Sequence, residues 1–362
     1  MTLAAVDMAS VRRVLIIKLS ALGDIIHALP VSAALGEAYP HLELTWAVEE
    51  GFAPLVEGNP YLTDVLTLPK VRSRQLRSVS FHQDYLRRLR DVRHRRFDLT
   101  LDLQGLTKSA VIAAASGARV RLGYHHQREA ASWLVRPVPP RPESTHVVDH
   151  YLDVARFLGA DPETVRFPFH IPEVDDAMVQ AMLCEAGLDP CAPFVAFNPA
   201  SALAIKQWDA ENYAALMDAV QERLGLPVVL VTADWVVADR VAAAARRPFA
   251  NLCGRTTLKQ LAAVLRRCAL HICGDTGSGH LAAALGRSVI ALMGPTNPDR
   301  ACPYGQRENV LSLRQFCGAT CNGHRCQFAR PRCLEAIGVS DVLARIERLA
   351  GRALEWASGP AR

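Results

Sequence analysis

The chain has 362 residues, half of them apolar and 21% charged, with a formal net charge of +5 and ten cysteines. That length predicts two domains of ordinary globular composition, and no apolar run nears the roughly 20 residues a membrane helix needs. Residues 1–10 hold neither a basic segment nor a long apolar one, so no signal peptide is expected and the protein is read as cytoplasmic, with reduced cysteines.

Short β-branched apolar runs alternate with longer helical patterns, as in parallel α/β sheets. Val14 to Ile17 is the first predicted strand, followed by a helix from Asp24 to Ala38. Further strands are expected at Leu42–Val48, Val65–Leu68, Asp98–Leu103 and Val120–Gly123. Between Lys70 and Arg96 ten Lys or Arg stand against Asp84 and Asp91 alone, so this partly helical arm carries +8 and the rest of the chain −3. Such an arm is either a solvated helix face or an attractor of phosphates, carboxylates, an anionic membrane face or nucleic acid. Its sparse aromatics argue against base stacking on single strands, and nucleic acid is not expected as a partner. Arg136 to Pro142 holds four prolines and is expected to be an irregular loop, after which a helix at His150–Leu158 closes the first half.

Phe167 to Pro172 is the linker, extended by its prolines. Beyond it come a strand at Phe194–Phe197, a helix at Ala210–Leu224, a strand at Pro227–Thr232 and helices at Val236–Arg246 and Leu258–Arg267. Strands at Leu270–Cys273 and Ser288–Met293 follow, and Asp341–Trp356 is an amphipathic helix. The fold class expected is α/β, two Rossmann-like domains facing a central cleft. Residues 1–168 form the first, 169–340 the second, and 341–362 a helix that packs back on the first.

Ligands of open parallel sheets bind where strands turn into helices at the carboxyl edge. The first such turn, Lys18 to Asp24, lacks G-x-G-x-x-G. Gly23 permits close backbone approach, and Asp24 either caps its helix or accepts a proton from a hydroxyl. The second runs from Cys273 to Leu285, a glycine-rich turn opening a small-residue helix. It aims backbone N–H groups at an anion such as a diphosphate. Thr276 adds a donor, Asp275 can accept from sugar hydroxyls, and His280 orients the site or fills space. The third is Asn198 to Trp208, whose Lys206 is either a solvent-facing charge or the cation for a leaving phosphate. Finally Cys317, Cys321, Cys326 and Cys333 fall within 17 residues at no standard zinc-finger spacing. A reduced loop is one reading, a structural zinc or iron site the other.

Together these turns resemble the glycosyltransferase family of the ADP-heptose:lipopolysaccharide heptosyltransferases. Ser20–Pro30 is similar to that family's N-terminal signature and Gly274–Leu281 to its donor-binding signature; the likeness runs from about Val14 to Pro295. It implies a GT-B fold and an inverting, metal-independent transfer of heptose from ADP-heptose to the Kdo–lipid A inner core of lipopolysaccharide. Asp24 is then the general base. Ser201, Lys206, Thr276 and Gly277 hold the diphosphate, Asp275 the donor sugar, and His280 belongs to the same site. Family members often carry a glutamate for the nucleoside, and Asp234 is the acid this chain offers there. Ser20, Gly23, Lys70, Arg72 and Arg128 are expected to meet the acidic glycolipid acceptor, with peripheral contact at the inner membrane face. Metal-binding relatives that modify proteins keep a protein acceptor open, and a non-catalytic protein binding nucleotide sugars or polyanions is the reading from another class.

Overall fold

The computed structural model describes residues 6–71, 78–315, 326–328 and 330–357, apart from the side chains of 79 and 350–357. The chain divides into two compact units, residues 1–170 and 171–362, two residues beyond the boundary expected.

In the first unit β1 (Arg13–Ile17), β2 (Glu43–Glu49), β3 (Asp64–Leu68), β4 (Leu99–Asp102), β5 (Val120–Tyr124) and β6 (Arg136–Val138) form one sheet. Its order is β3-β2-β1-β4-β5-β6, and every pairing is parallel. The second unit has β7 (Val195–Asn198), β8 (Val228–Leu230), β9 (Ala250–Asn251), β10 (Leu270–Gly274), β11 (Ser288–Leu292) and β12 (Val310–Leu311). Their order, β12-β11-β10-β7-β8-β9, is again all parallel, and counted from each unit's first strand both sheets read 3-2-1-4-5-6. Strands buried on both faces need continuous apolar runs, and Val14–Ile17 and Val195–Phe197 are wholly inaccessible.

Helices α1 (Leu22–Ala38), α2 (Val79–His94), α3 (Thr107–Ala115) and α4 (Val147–Phe157) complete the first unit. The second adds α5 (Glu173–Glu185), α6 (Ala210–Leu224), α7 (Trp235–Ala244), α8 (Leu258–Arg267), α9 (Gly277–Ala284), α10 (Pro298–Ala301), α11 (Arg332–Glu335) and α12 (Val339–Ala357). The basic arm is helical over α2, and its residues 72–77, Arg72 among them, lie outside the described residues. Helix α12 buries Val342, Leu343 and Ile346 in the core of the second unit and ties Glu347 to Arg223 of α6 at 2.8 Å, so its apolar face is occupied there. The expected proline loop begins instead with β6, where Pro137 lies opposite Gly123; an edge strand tolerates a residue with no N–H to give. Among the described residues, no helix is long and apolar enough to cross a membrane.

Strand order reverses between β1 and β4, and again between β7 and β10. The crevices at the carboxyl ends of these pairs are the natural ligand sites of each sheet. The three turns singled out from the sequence leave β1, β7 and β10.

Candidate active site

In the first unit the turn after β1 is held from below. Gln104, just past β4, accepts the N–H groups of Leu19 and Ser20 at 3.0 and 3.1 Å. Asp102, fully buried, accepts Gln104 and Gly105 amides and the Ser109 hydroxyl at 2.8 to 3.0 Å. Burial raises its pKa against those hydrogen bonds and the charge of Lys18. Lys18 is only 2% exposed; its ammonium donates to the Leu103 carbonyl at 2.9 Å and the Tyr151 hydroxyl at 2.7 Å. Burial lowers the Lys18 pKa, opposed by the charges of Asp24 and Asp102, with Arg128 and Lys108 acting in the same sense as burial.

Asp24 stands in the first turn of α1, exposed, with the Ala21 amide donating to it at a long 3.4 Å. Its carboxylate is therefore only loosely engaged as a cap and stays open to solvent and ligand. Gly23 precedes it in the same turn, and Ser20 is half-buried. Arg128, exposed, is anchored by its own N–H on the Gly105 carbonyl at 2.9 Å. Lys70 is exposed two residues past β3, two strands from β1 in the sheet. Glu49, at the end of β2, is buried and paired with Lys108 of α3 at 2.8 Å, and its second carboxylate oxygen has no partner among the described residues.

The second unit joins three loops at one carboxylate. The Lys206 ammonium donates to Asp275 at 2.6 Å, the Thr296 hydroxyl donates to the same oxygen, and the Ser201 hydroxyl donates to the Asp275 carbonyl at 3.0 Å. Thr276 is the N-cap of α9 and Gly277 its first residue, so the leading amides of that helix start beside this cluster. Free amides and a helix's positive end favour an anion, and the cation beside them adds a full charge. Gly274 keeps the backbone close: a Cβ there would stand 3.2 Å from the Lys206 carbonyl. His280, in the first turn of α9, is buried. Asp234 does not join the cluster. It lies past β8, where its carboxylate caps α7 by accepting the Val237 amide at 3.2 Å.

Beneath the cluster runs a chain of hydrogen bonds that the sequence did not announce. Asn198 of β7 donates to the Ser278 hydroxyl at 3.0 Å. Ser278 and His271 Nε2 are 3.0 Å apart, and His271 Nδ1 lies 3.1 Å from the Ala196 carbonyl. A carbonyl only accepts, so Nδ1 carries the proton and Nε2 receives the serine's. The chain fixes the start of α9 to β7 and β10.

Burial pushes the His271 imidazole from 6.5 down to about 4. The unfolded chain takes up this proton near pH 6.5 and the folded chain only near 4, so acid favours unfolding in between. The histidine's contribution is full above pH 6.5 and falls, on the order of 3 kcal/mol, as the pH drops toward 4. Denaturant unfolding followed across that window should show the loss in wild type and a shallower slope in His271→Gln.

Packing is equally tight one residue on. A Cβ at Gly279 would lie 2.7 Å from the Cys273 sulfur, and both are buried. Gly279→Ala should therefore cost roughly 1–3 kcal/mol in thermal unfolding, recovered in part by adding Cys273→Ala.

The four late cysteines do not converge as far as the structure describes them. Cys317 and Cys321 lie outside the described residues. Cys333 sits in the second unit's core, and the Cys326 thiol donates to the Arg330 carbonyl at 3.7 Å. Among the described residues no three His, Cys, Asp or Glu side chains form a metal-ligand group.

Residues 85–330 match the family profile of glycosyltransferase family 9 (heptosyltransferase). The lipopolysaccharide core heptosyltransferase OpsX of Haemophilus influenzae is 25% identical over 304 residues, 82% of this chain and 83% of that protein. Lipopolysaccharide heptosyltransferase 1 of Pseudomonas aeruginosa is 31% identical over 58% of each chain. In fold, a family 9 glycosyltransferase from Veillonella parvula superposes with a TM-score of 0.79 at 23% identity, covering 95% of this chain and 97% of that one. The Escherichia coli heptosyltransferase WaaC with ADP gives 0.71 at 24% identity over 93% and 99%. The two parallel-sheet units are those of the GT-B fold, as the resemblance implied. The chain belongs to glycosyltransferase family 9, the heptosyltransferases, and is a sugar-transferring enzyme.

Proposed function

We propose that the protein transfers heptose from ADP-heptose to the Kdo–lipid A inner core of lipopolysaccharide, with inversion at the anomeric carbon. The observation that carries this reading is the Lys206–Asp275–Thr296 cluster at the start of α9, on the crevice between β7 and β10. There the second unit receives the donor: Lys206, Ser201 and the Thr276 and Gly277 amides take the diphosphate, Asp275 the sugar hydroxyls, with His280 backing the turn and Asp234 toward the nucleoside. In the first unit Asp24 accepts the proton of the acceptor hydroxyl as its oxygen bonds to the anomeric carbon and the bond to the ADP oxygen breaks. The charge left on ADP is met by Lys206 and the amides of α9, and the reading calls on no metal.

Ser20, Gly23, Lys70 and Arg128 face the acidic acceptor in this reading, and the enzyme works in the cytosol against the inner membrane face. A relative named for the lipopolysaccharide core and a fold neighbour described with ADP support the choice of acceptor and donor. The test is mass spectrometry of Kdo–lipid A after incubation with the protein and ADP-heptose. Gain of one heptose upholds the proposal. No gain, from folded protein that binds ADP, would transfer the reading to another sugar or to a protein acceptor.

A further inference from the structure

A cavity of the first unit lies at the edge of the sheet opposite the turn that carries Asp24. It encloses about 900 Å³ between the segment before β1, the end of α2 and the starts of β4, β5 and β6. Its floor is apolar, with Val11, Phe97 and Leu122 buried, and its rim carries Arg93, Arg96, Arg119 and Arg136, all exposed. The connection explains why part of the basic arm arrives here. Helix α2 joins parallel strands, so it starts at the carboxyl edge of β3 and must end at the amino edge of β4.

Several arginines of the unit are paired, Arg13 with Glu43, Arg141 with Asp161 and Arg156 with Asp153, whereas those on this rim are not. Among the described residues no carboxylate lies within ion-pair distance of Arg93, Arg96, Arg119 or Arg136. The acids of the lining are already engaged, Asp98 by the Arg12 and Arg13 amides at 2.9 Å and Asp7 by the Ala9 amide at 3.2 Å. Arg93 is also seated. Its guanidinium occupies the space a side chain would need at Gly117, whose φ is +71° and where a Cβ would fall 1.2 Å from the terminal nitrogen. Unpaired arginines on the rim of a cavity with an apolar floor suit an anion with several phosphate oxygens attached to a less polar body, because each planar fork can meet two oxygens at once.

We propose that this cavity is a second anion site, binding the phosphate groups of a lipid headgroup or a soluble polyphosphate, independent of the transfer site. The test compares wild type with Arg119→Gln/Arg136→Gln in two arms: calorimetric titration with inorganic tripolyphosphate, and cosedimentation with vesicles of phosphatidylglycerol in phosphatidylcholine. Both arms are run near physiological salt, with excess ADP present. A charge-matched control, Arg246→Gln/Arg300→Gln, removes two exposed arginines from the second unit, and thermal unfolding confirms that each variant is folded. Binding in either arm that weakens about tenfold or more in the cavity variant alone upholds the site. The arm in which it appears identifies the source, lipid for the vesicles and a soluble anion for tripolyphosphate. No wild-type binding in either arm, retention of binding by the cavity variant, or an equal loss in the control overturns it.

Discussion

Asp24→Asn is expected to lower heptose transfer roughly 10²- to 10⁴-fold while leaving ADP binding unchanged. The substitution keeps shape and size and removes only the capacity to accept a proton as an anion. If Asp24 merely capped α1, asparagine would serve almost as well, since the two residues rank together at that position and cap losses run to about 1 kcal/mol. The geometry favours the larger effect. The Ala21 amide reaches Asp24 only at 3.4 Å, so little of the carboxylate is committed to the helix. Single-turnover transfer at saturating donor, with calorimetric ADP titration, separates the roles. A rate within a few-fold of wild type would remove Asp24 from proton transfer.

Lys206→Met is expected to reduce transfer roughly 10²- to 10³-fold and to weaken ADP binding with it, since the lost cation faces both bound and departing diphosphate. A purely structural role predicts something different. Lys206 and Asp275 are partly buried and joined at 2.6 Å, and deleting one strands the other's charge. Lys206→Met/Asp275→Asn leaves neither charge, so if pairing were all that mattered the double variant would recover both stability and rate. Recovery of the melting temperature with no recovery of transfer is the expected outcome, read by thermal unfolding alongside the same kinetic assay.

Where strands were long, apolar and bounded by turns, the sequence was a good guide, and the three turns it singled out do leave β1, β7 and β10. The misses have local causes. α5 buries only Val179 and Leu183, a stripe too narrow to show as a period, and α3 is nine residues without an acidic first turn. β9 and β12 are two residues each, below any pattern. Four prolines argued against a strand at Arg136, a sound rule for central strands that an edge strand escapes. In the site, residue types within a turn were legible, whereas partners brought from afar were not. Thr296 reaches Asp275 from 21 residues on, Asn198 meets Ser278 across 80, and Tyr151 receives Lys18 across 133. No local spacing encodes such meetings; strand order does, and strand order is a property of the whole sheet.

That strand order also shapes the birth of the molecule. β1 lies between β2 and β4, and Val14 pairs with Leu44 on one side and Leu99 on the other. During translation the first strand can acquire its β2 neighbour early, but its other edge stays open until the chain has grown past residue 99, a long loop to close for parallel pairing. Because residues 1–170 are contiguous, the first sheet can finish before the second unit has emerged from the ribosome. Damage to β4 would prolong the life of an apolar strand with a bare edge, and its signature in the cell would be aggregation of nascent chains rather than a well-folded enzyme of low activity.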